Sequence, residues 1–295
     1  MTIDGAVLLD KPVGISSNRA LQQAKQLFGA AKAGHAGTLD PLASGLLIVL
    51  FGEATKFAGY LLEDDKEYLA TLKLGEKTAT GDAEGEVIER RDVAVTDGDV
   101  ARILGRFKGE IEQVPPMHSA LKRGGVPLYA LARKGETVAR EARRVRITEL
   151  EKIEFNPPHL VLRVRCSKGT YVRTLAEDIG EALGSCAHLT ALRRTASGRW
   201  RVEGAVSLET LPARSRGDLL PLAALLADLP RAELDAAQEA RFRNGQSLES
   251  FPGEGVRAVY GARGAVIGLG QATPGGTLRP LRLVAQAADK HQKTL

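Results

Sequence analysis

The residue with the clearest potential for chemistry is Asp40, the single acid in the segment GHAGTLDPLASG at residues 34–45. Three glycines and one proline make this segment too broken for regular structure, and glycine lets another molecule approach the main chain closely. Asp40 followed by Pro41 favours a turn that fixes the direction of the carboxylate. We therefore expect a rigid loop that presents one acid at the end of a buried strand, residues 46–51.

A second interpretation of Asp40 is purely structural. Asp followed by Pro is a favourable N-cap and first residue of a helix. Only residues 42–44 separate the pair from Gly45 and the predicted strand. A single helical turn fits in that space, whereas a helix of ordinary length does not. The sequence favours the turn and leaves the cap open.

Tyr68 and Arg173 are the candidate companions of Asp40. Residues 66–74 alternate as a strand does, and Tyr68 shares the mostly apolar face. Arg173 lies at the start of a predicted helix, where the helix dipole disfavours a cation, so a fixed anionic partner would explain it. The structural alternatives are a half-buried core tyrosine and an exposed ion pair with Glu177, one helical turn away.

Several other kinds of site are excluded by the motifs that the sequence lacks. There is no P-loop, complete G-x-G-x-x-G fingerprint, G-x-S-x-G elbow or H-E-x-x-H, so nucleotide, hydrolase and zinc-protease functions are unsupported. The two cysteines and five scattered histidines form neither a disulfide framework nor metal-ligand spacing. The usual glycosidases need two carboxylates, whereas one loop-borne acid stands out here. A lone Asp can act as nucleophile or base when an arginine keeps it ionised.

Positive charge is concentrated in one part of the chain. The formal net charge is +5, yet residues 115–201 carry seventeen Lys or Arg against eight Asp or Glu, which leaves the remainder net acidic. This contrast favours a polyanionic partner such as nucleic acid, with a solvated basic face as the alternative. Within it, the loop at residues 115–146 includes His118 and Tyr129 and suits phosphate contacts and base stacking.

The hydrophobic pattern predicts the elements that position these residues. A helix over Ser17–Phe28, with Gly29 as its stop, precedes the Asp40 loop. Further strands are predicted at residues 5–10, 86–90, 110–114, 159–166, 188–195, 256–260, 265–270 and 278–284, and further helices at 53–62, 100–107, 128–134, 172–183 and 235–243.

The chain length and a change of sequence pattern near a proline predict two domains. A chain of 295 residues corresponds to about two domains. The pattern of residues changes near Pro230, which divides the chain into residues 1–229 and 230–295. The N-terminus has acids where a signal peptide needs basic residues. No apolar run approaches the roughly 20 residues needed to span a membrane. We therefore expect a cytoplasmic protein without membrane contact.

Four motifs in order give the chain a family resemblance. KPVGISS, GHAGTLDPLASG, KEYLATLKLG and SKGTYVRT, spread over about residues 5–200, resemble the bacterial tRNA pseudouridine synthase B (TruB) family. The resemblance implies an α+β fold with a mixed, mainly antiparallel sheet flanked by helices. It also implies isomerisation of uridine 55 in the tRNA T arm, without cofactor or metal. The base is detached from its ribose at N1, rotated and rejoined through C5.

The resemblance also implies roles for individual residues. Asp40 matches the catalytic aspartate, Arg173 its paired arginine, and Tyr68 the tyrosine that stacks on the uracil and removes the C5 proton. The remaining matches are predicted substrate contacts: His35, which helps to splay the T loop, Tyr171, Leu192 and Lys11. Lys11, in the first motif, also looks structural, because it supports the catalytic loop. Whether Asp40 attacks C1′ or C6 or removes a ribose proton stays open.

Two RNA-binding regions follow from the same resemblance. Residues 115–146 resemble a thumb-like insertion that orders over the tRNA, with Arg140, Arg143 and Arg144 as phosphate contacts, and residues 230–295 are similar to a PUA domain. We expect a monomer without an obligate protein partner. The rival functions are a non-catalytic RNA-binding protein with this fold and a guide-dependent subunit of a larger particle. The bacterial-type thumb argues against the latter.

Overall fold

A large central sheet carries the residues singled out above. The computed structural model describes residues 3–119, 121–213 and 216–285. The strands of the described residues are β1 (Gly5–Lys11), β2 (Ala33–Ala36), β3 (Ala43–Phe51), β4 (Lys66–Leu74), β5 (Glu76–Thr78), β6 (Val87–Arg90), β7 (Gly109–Gln113), β8 (Lys122–Arg123), β9 (Val126–Pro127), β10 (Arg143–Asn156), β11 (His159–Cys166), β12 (Ala187–Ser197), β13 (Trp200–Arg201), β14 (Val206–Ser207), β15 (Arg231–Glu233), β16 (Gly255–Tyr260), β17 (Val266–Ala272) and β18 (Leu278–Leu283).

The central sheet has ten strands and is mainly antiparallel. Its order is β14, β1, β3, β12, β4, β11, β10, β7, with β2 paired to β3 and β13 to β12. The pairs β1/β14 and β3/β12 are parallel, and the other pairs of this sheet are antiparallel. The arrangement confirms the predicted class, α+β with a mixed sheet. It also brings β3, β12 and β4 side by side, which places the GHAGTLDPLASG and KEYLATLKLG motifs on the two sides of β12.

Helices flank this sheet and hold its loops. In the described residues they are α1 (Ser17–Phe28), α2 (Ala58–Leu62), α3 (Asp97–Leu104), α4 (Leu128–Ala132), α5 (Val172–Ala182), α6 (Leu222–Leu225) and α7 (Ala236–Arg243). α1 has the predicted bounds, because the Ser16 hydroxyl accepts from the Arg19 amide at its start and Gly29 adopts a left-handed φ of 62° at its end. None of the helices in the described ranges has the length and apolar character needed to cross a membrane.

Apolar burial fixes α1 and α5 on the sheet. α1 buries Ala20 and Ala24 in a cluster with Leu47 of β3. α5 buries Leu175 and Ile179 in a second cluster, which includes Leu72 of β4 and Leu160 of β11. Each fully buried Leu or Ile contributes about 1.5–3 kcal/mol of transfer free energy. The helix that carries Arg173 and the helix that precedes the Asp40 loop are therefore both anchored to one rigid platform.

The C-terminal part forms its own four-stranded sheet. β15, β16, β17 and β18 are neighbours in this order, and Phe242 of α7 lies in their apolar cluster. A further cluster joins this sheet to the rest of the chain, since Tyr260 and Leu269 pack with Phe57 and Leu61. β15 begins one residue after Pro230. The assignment of residues 1–229 and 230–295 as two domains remains a prediction.

Several predicted elements differ from the structure. The composition of residues 34–45 predicts a lack of regular structure, but β2 and β3 extend into them and shorten the loop to residues 37–42. The extension of β2 is stabilised by its pairing with β3 and that of β3 by its pairing with β12, and periodicity does not register such tertiary contacts. Residues 53–62 divide into a 3₁₀ segment and the one-turn helix α2. The polar composition of residues 75–85 predicts a loop, but they contain β5, which pairs with β6.

Candidate active site

The Asp40 loop is a β-turn held from two sides. The amide of Ala43 donates to the carbonyl of Asp40 over 3.1 Å, and the amide of Gly14 donates to the carbonyl of Pro41 over 2.8 Å. The amide of Leu39 donates to the hydroxyl of Ser17, the first residue of α1, over 2.7 Å. The turn interpretation is confirmed and the helix-cap interpretation is wrong, because the chain enters β3 directly after the turn.

Arg173 reaches Asp40 from the first turn of α5. Its Nη2 lies 2.9 Å from Oδ2 of Asp40, and its side chain is 7% exposed. The same nitrogen donates to the carbonyl of His118 over 2.7 Å, while Nη1 donates to the carbonyl of Thr80 over 3.0 Å. The alternative of an exposed pair with Glu177 is wrong, since Arg173 is buried and a fixed anion accounts for its position. Charge-assisted bonds of this kind hold a carboxylate ionised and oriented.

Asp82 is a second carboxylate on Arg173 that the sequence analysis missed. Its Oδ2 lies 3.6 Å from Nη1 of Arg173, and its side chain is 5% exposed. Its Oδ1 accepts from the Thr80 hydroxyl over 2.6 Å and from the Glu84 amide over 3.1 Å. A buried carboxylate needs such partners. The sequence signal was a pair of acids, Asp82 and Glu84, between the glycines of a polar segment, which gives no indication of the distance from Asp82 to Arg173.

Tyr68 lies on β4 with Arg194 of β12 and Val164 of β11 as its register partners. It is partly buried beside the apolar cluster of α5. Burial raises the pKa of its hydroxyl, and the charge of Arg194 opposes that rise. The half-buried tyrosine interpretation is therefore correct as a description of its packing. It is compatible with a functional role, because the same side chain also lines the cleft described below.

Tyr171 and Leu192 complete the wall around Asp40. Tyr171 is the N-cap residue of α5, and its main chain is held by Gln113, whose Oε1 accepts from the Tyr171 amide over 3.0 Å. Burial raises the pKa of the Tyr171 hydroxyl. Leu192 lies on β12 opposite Ala43 of β3 and Ala70 of β4. These positions put an aromatic ring and an aliphatic side chain around the acid.

One cleft collects the three predicted catalytic residues and two of the predicted substrate contacts. It has a volume of about 510 Å³, within the range typical of small-ligand sites. Its lining includes the following side chains of interest: Asp40, Tyr68, Tyr171, Arg173, Leu192 and Arg194. Within the described ranges, no group of three or more His, Cys, Asp or Glu is placed to hold a metal ion. The cleft thus combines one acid, its arginine and a ring able to stack on a planar group.

His35 lies outside the lining of this cleft, on β2 opposite Val49 of β3. Its Nδ1 is buried and has no hydrogen-bond partner among the described residues. Burial first, and the charge of Arg194 second, lower the pKa of its imidazole. The ring is therefore neutral at neutral pH, and it carries a polar atom that the surrounding protein does not satisfy.

Lys11 is not exposed to a substrate. It is fully buried at the end of β1, and its Nζ donates to the carbonyls of Pro12 and Ile15 over 2.8 and 2.7 Å. Burial lowers the pKa of its amine to about 8. The prediction that Lys11 contacts the substrate directly is therefore wrong, because its hydrogen-bond donors are used inside the protein. The geometry agrees with the supporting role that the family resemblance implied for this residue.

The three basic residues assigned to the thumb occupy different elements. Arg140 lies in the loop, where its Nη1 donates to the carbonyl of Pro115 over 3.1 Å. Arg143 and Arg144 belong to β10 and pair in register with Gln113 and Glu112 of β7. The 115–146 loop is therefore shorter than expected, and two of its arginines stand near the edge of the central sheet. The pairing of β10 with β7 joins segments that are distant in the sequence, so a local pattern does not reveal it.

The comparisons with solved structures identify the class of protein. An H/ACA ribonucleoprotein bound to a substrate RNA containing 2′-deoxyuridine superposes with a TM-score of 0.73 at 25% identity, covering 95% of this chain and 85% of that chain. A Cbf5–Nop10–Gar1 complex superposes with a TM-score of 0.72 at 25% identity, covering 96% and 84%. The fold of this chain is the pseudouridine synthase fold.

The sequence comparisons give the family. The model of the TruB family pseudouridylate synthase N-terminal domain matches residues 25–172, and two TruB C-terminal models match residues 173–234 and 230–284. This chain is 54% identical to each of two proteins named tRNA pseudouridine synthase B, one from Burkholderia mallei (strain NCTC 10247) and one from Ralstonia nicotianae (strain ATCC BAA-1114 / GMI1000). The alignments cover 97% and 96% of this chain and 98% and 94% of the relatives. The chain belongs to the TruB family of pseudouridine synthases.

Proposed function

We propose that this enzyme isomerises uridine 55 in the T arm of tRNA to pseudouridine. The observation that carries the proposal is the 2.9 Å pair between Asp40 and Arg173 in a cleft that Tyr68 also lines. One acid with a fixed arginine suits a reaction that needs a nucleophile or base and no second carboxylate. The near-full-length relatives named tRNA pseudouridine synthase B support tRNA as the substrate.

The target base must leave its stack to reach Asp40. A cleft of about 510 Å³ accommodates one flipped-out nucleotide and not a duplex. Tyr68 provides the face on which the uracil stacks, and Leu192 closes the opposite side. His35, Tyr171 and the basic residues Arg140, Arg143 and Arg144 contact the RNA outside the reacting base. Lys11 holds the loop that carries Asp40.

The reaction exchanges one bond for another. The N1–C1′ bond breaks, the uracil rotates, and a C5–C1′ bond forms; C5 loses its proton and N1 gains one, so no atom is added or removed. Asp40 attacks C1′ or C6, or removes a ribose proton, and Arg173 holds its carboxylate in position for any of these steps. Tyr68 receives the C5 proton. Only the phenolate form of Tyr68 can accept that proton, so its hydroxyl proton must first leave to solvent. Because burial raises the pKa of Tyr68, this phenolate needs a stabilising partner.

The test compares wild type with Asp40→Asn on the same tRNA. The assay is release of tritium from C5 of uridine, with tRNA binding measured separately. We expect the rate to fall by a factor on the order of 10³ or more, with binding largely retained. Asp97→Asn is the matched control, because Asp97 is an exposed acid on α3 that pairs with Lys152. Retained turnover in purified Asp40→Asn would contradict the assignment.

We further propose that the chain acts alone in the cytoplasm as a monomer, with residues 230–295 as a PUA-like RNA-binding domain. In support, the 54% identical relatives are aligned over almost their whole length, and β15–β18 form a separate small sheet. Activity of the purified chain on a bare T-arm hairpin tests independence from a guide. No product without added proteins or RNA would favour the guide-dependent alternative.

A further inference from the structure

Arg194 is a buried arginine that the proposed function does not use. Its side chain lies on β12 and is 1% exposed. Its Nε donates to the carbonyl of Leu46 over 2.6 Å, and its Nη2 donates to the carbonyl of Gly37 over 3.1 Å. One guanidinium thus binds the main chain on both sides of the Asp40 turn, at the last loop glycine before it and within β3 after it.

The fit around Arg194 leaves little room for the turn to shift. A Cβ on Gly37 would lie 3.2 Å from Nη1 of Arg194, and a Cβ on Gly45 would lie 2.3 Å from the Arg194 carbonyl oxygen. Both glycines have positive φ, 91° and 99°. Gly37 and Gly45 therefore permit close approach to Arg194. Gly37 lies against its side chain, and Gly45 lies against its main chain.

The charge of Arg194 acts directly on the groups of the site. Within the described ranges, the acceptors of its Nε and Nη2 are main-chain carbonyls, so neither nitrogen is paired with a carboxylate. Its charge opposes the rise in the pKa of Tyr68, its register partner on β4, and adds to the lowering of the pKa of His35 and of Lys66. A buried guanidinium without a carboxylate partner among the described residues is costly, and a phenolate at Tyr68 during the reaction would supply the missing negative charge.

The adjacent Arg193 shows what a structural arginine on the same strand looks like. Its Nη1 and Nη2 donate to the two carboxylate oxygens of Asp10 over 3.0 and 2.7 Å. Its side chain is 40% exposed and does not line the cleft. Arg194 differs on every count, since it is buried, bound to main chain and part of the cleft wall.

We propose that Arg194 is a positioning residue for the isomerisation, which fixes the Asp40 turn against the strand of Tyr68 and holds its cation near the Tyr68 hydroxyl. The inference rests on the proposed function, since Asp40 and Tyr68 are the groups through which it acts. Tyr68 can take the C5 proton only as a phenolate, and the negative oxygen of that phenolate faces a cation that is already in place, so no reorganisation is needed to stabilise the base.

The test separates chemistry from RNA binding and from folding. Arg194→Met removes the cation and both hydrogen bonds, and Arg194→Lys keeps the charge with one point of attachment. Arg193→Met is the matched control. For each, we would measure the single-turnover rate of C5 tritium release at saturating enzyme, the Kd for tRNA and the thermal unfolding transition. Wild-type turnover of tRNA tests the proposed function independently of these comparisons.

The expected result is a selective loss of rate. Arg194→Met should lower the rate about 100-fold, the scale on which a small displacement of catalytic groups acts, with the tRNA Kd within about twofold of wild type. Arg194→Lys should recover part of that loss, and Arg193→Met should leave the rate unchanged. If Arg194→Met fails to fold, the comparison of Arg194→Lys with wild type decides. A rate per folded molecule equal to wild type in Arg194→Lys and Arg194→Met, or a loss confined to Kd, would overturn the proposal.

Discussion

At the scale of single residues, the site depends on how buried charges are compensated. Arg173 is shared by the partly exposed Asp40 and the buried Asp82. Asp82 therefore balances Arg173 from the protein side, which leaves Asp40 turned toward the cleft. The removal of either acid changes the field that the other experiences, so their substitutions should not be additive.

Lys11 gives a prediction about pH at this scale. Its pKa is lowered by burial to about 8 from 10.5, with Asp40 opposing the shift and Arg194 adding to it. Below pH 8 the amine is charged in both the folded and the unfolded chain. Between pH 8 and 10.5 the unfolded chain binds more protons, so stability rises with pH through that window.

The measurement is the difference in unfolding free energy between wild type and Lys11→Met. That difference should move in favour of wild type by about 2 kcal/mol between about pH 7.5 and 9.5, and by no more than about 3 kcal/mol over the whole window. Taking the difference cancels the other titrating groups. A value independent of pH would show that Lys11 keeps its ordinary pKa in the folded protein.

At the scale of elements, close contact between strands controls the Asp40 turn. Gly45 has a φ of 99° and faces the main chain of Arg194 on the neighbouring parallel strand. Gly45→Ala would place a methyl group 2.3 Å from the Arg194 carbonyl oxygen. We expect a decrease of more than about 2 kcal/mol in unfolding free energy, because backbone strain and a clash with main chain combine.

Gly59→Ala is the control for that experiment. Gly59 lies in α2 with no heavy atom within 4 Å of its added Cβ. In a helix this change is neutral or stabilises by up to about 1 kcal/mol. Denaturant unfolding of both variants measures the contrast. Equal unfolding free energies of Gly45→Ala and Gly59→Ala would mean that β3 and β12 can move apart at Gly45 without loss of stability.

The basic residues near the thumb give a second prediction about elements. Arg144 on β10 is 78% exposed and lies 3.8 Å from Glu112, a weak pair that leaves it available to phosphate. Replacing Arg140, Arg143 and Arg144 with Gln should weaken tRNA binding. It should also flatten the plot of log K against log salt by about 0.7–0.9 for each phosphate that the variant no longer neutralises.

The matched control for this experiment is Arg102→Gln. Arg102 is 72% exposed on α3 and pairs with Asp99 three residues before it. Binding of tRNA at several salt concentrations, by filter retention or fluorescence, provides the slopes. If the triple variant keeps the wild-type slope, these arginines do not touch phosphate.

At the scale of the whole molecule, the small C-terminal sheet shares an apolar cluster with the rest of the chain. Tyr260 of β16 is 5% exposed and packs in the cluster that contains Phe57 and Leu61. Its hydroxyl has no hydrogen-bond partner among the described residues, and the Arg231 guanidinium lies 4.8 Å from its ring centroid. The ring therefore contributes through packing and the cation, and not through its hydroxyl.

Two substitutions at Tyr260 test this coupling. Tyr260→Phe should leave the unfolding free energy unchanged or raise it slightly, because an unpaired buried hydroxyl is removed. Tyr260→Ala should lower it by about 3–5 kcal/mol, the range for a large aromatic side chain. Calorimetry should show one cooperative transition in wild type. Two separate transitions would show that the clusters unfold independently.

The sequence by itself determined much of the site because its signals are local. Residues 34–45 predicted a turn with one acid, the period-2 pattern put Tyr68 on the buried face of β4, and the helix dipole indicated an anionic partner for Arg173. The bounds of α1, β4 and β11 follow from caps and periodicity, so they match the prediction. The family resemblance rested on the same local motifs.

Tertiary structure alone decided which charges meet. Asp40 and Asp82 are 42 residues apart in sequence, and both contact Arg173 only because α5 packs over the sheet beside their two loops. Arg194 became a site residue because the parallel pairing of β12 with β3 places it beside the Asp40 turn. Such contacts depend on strand order and register, which a local pattern does not encode. Burial then distinguishes the two acids on Arg173, since Asp82 is buried and Asp40 is partly exposed.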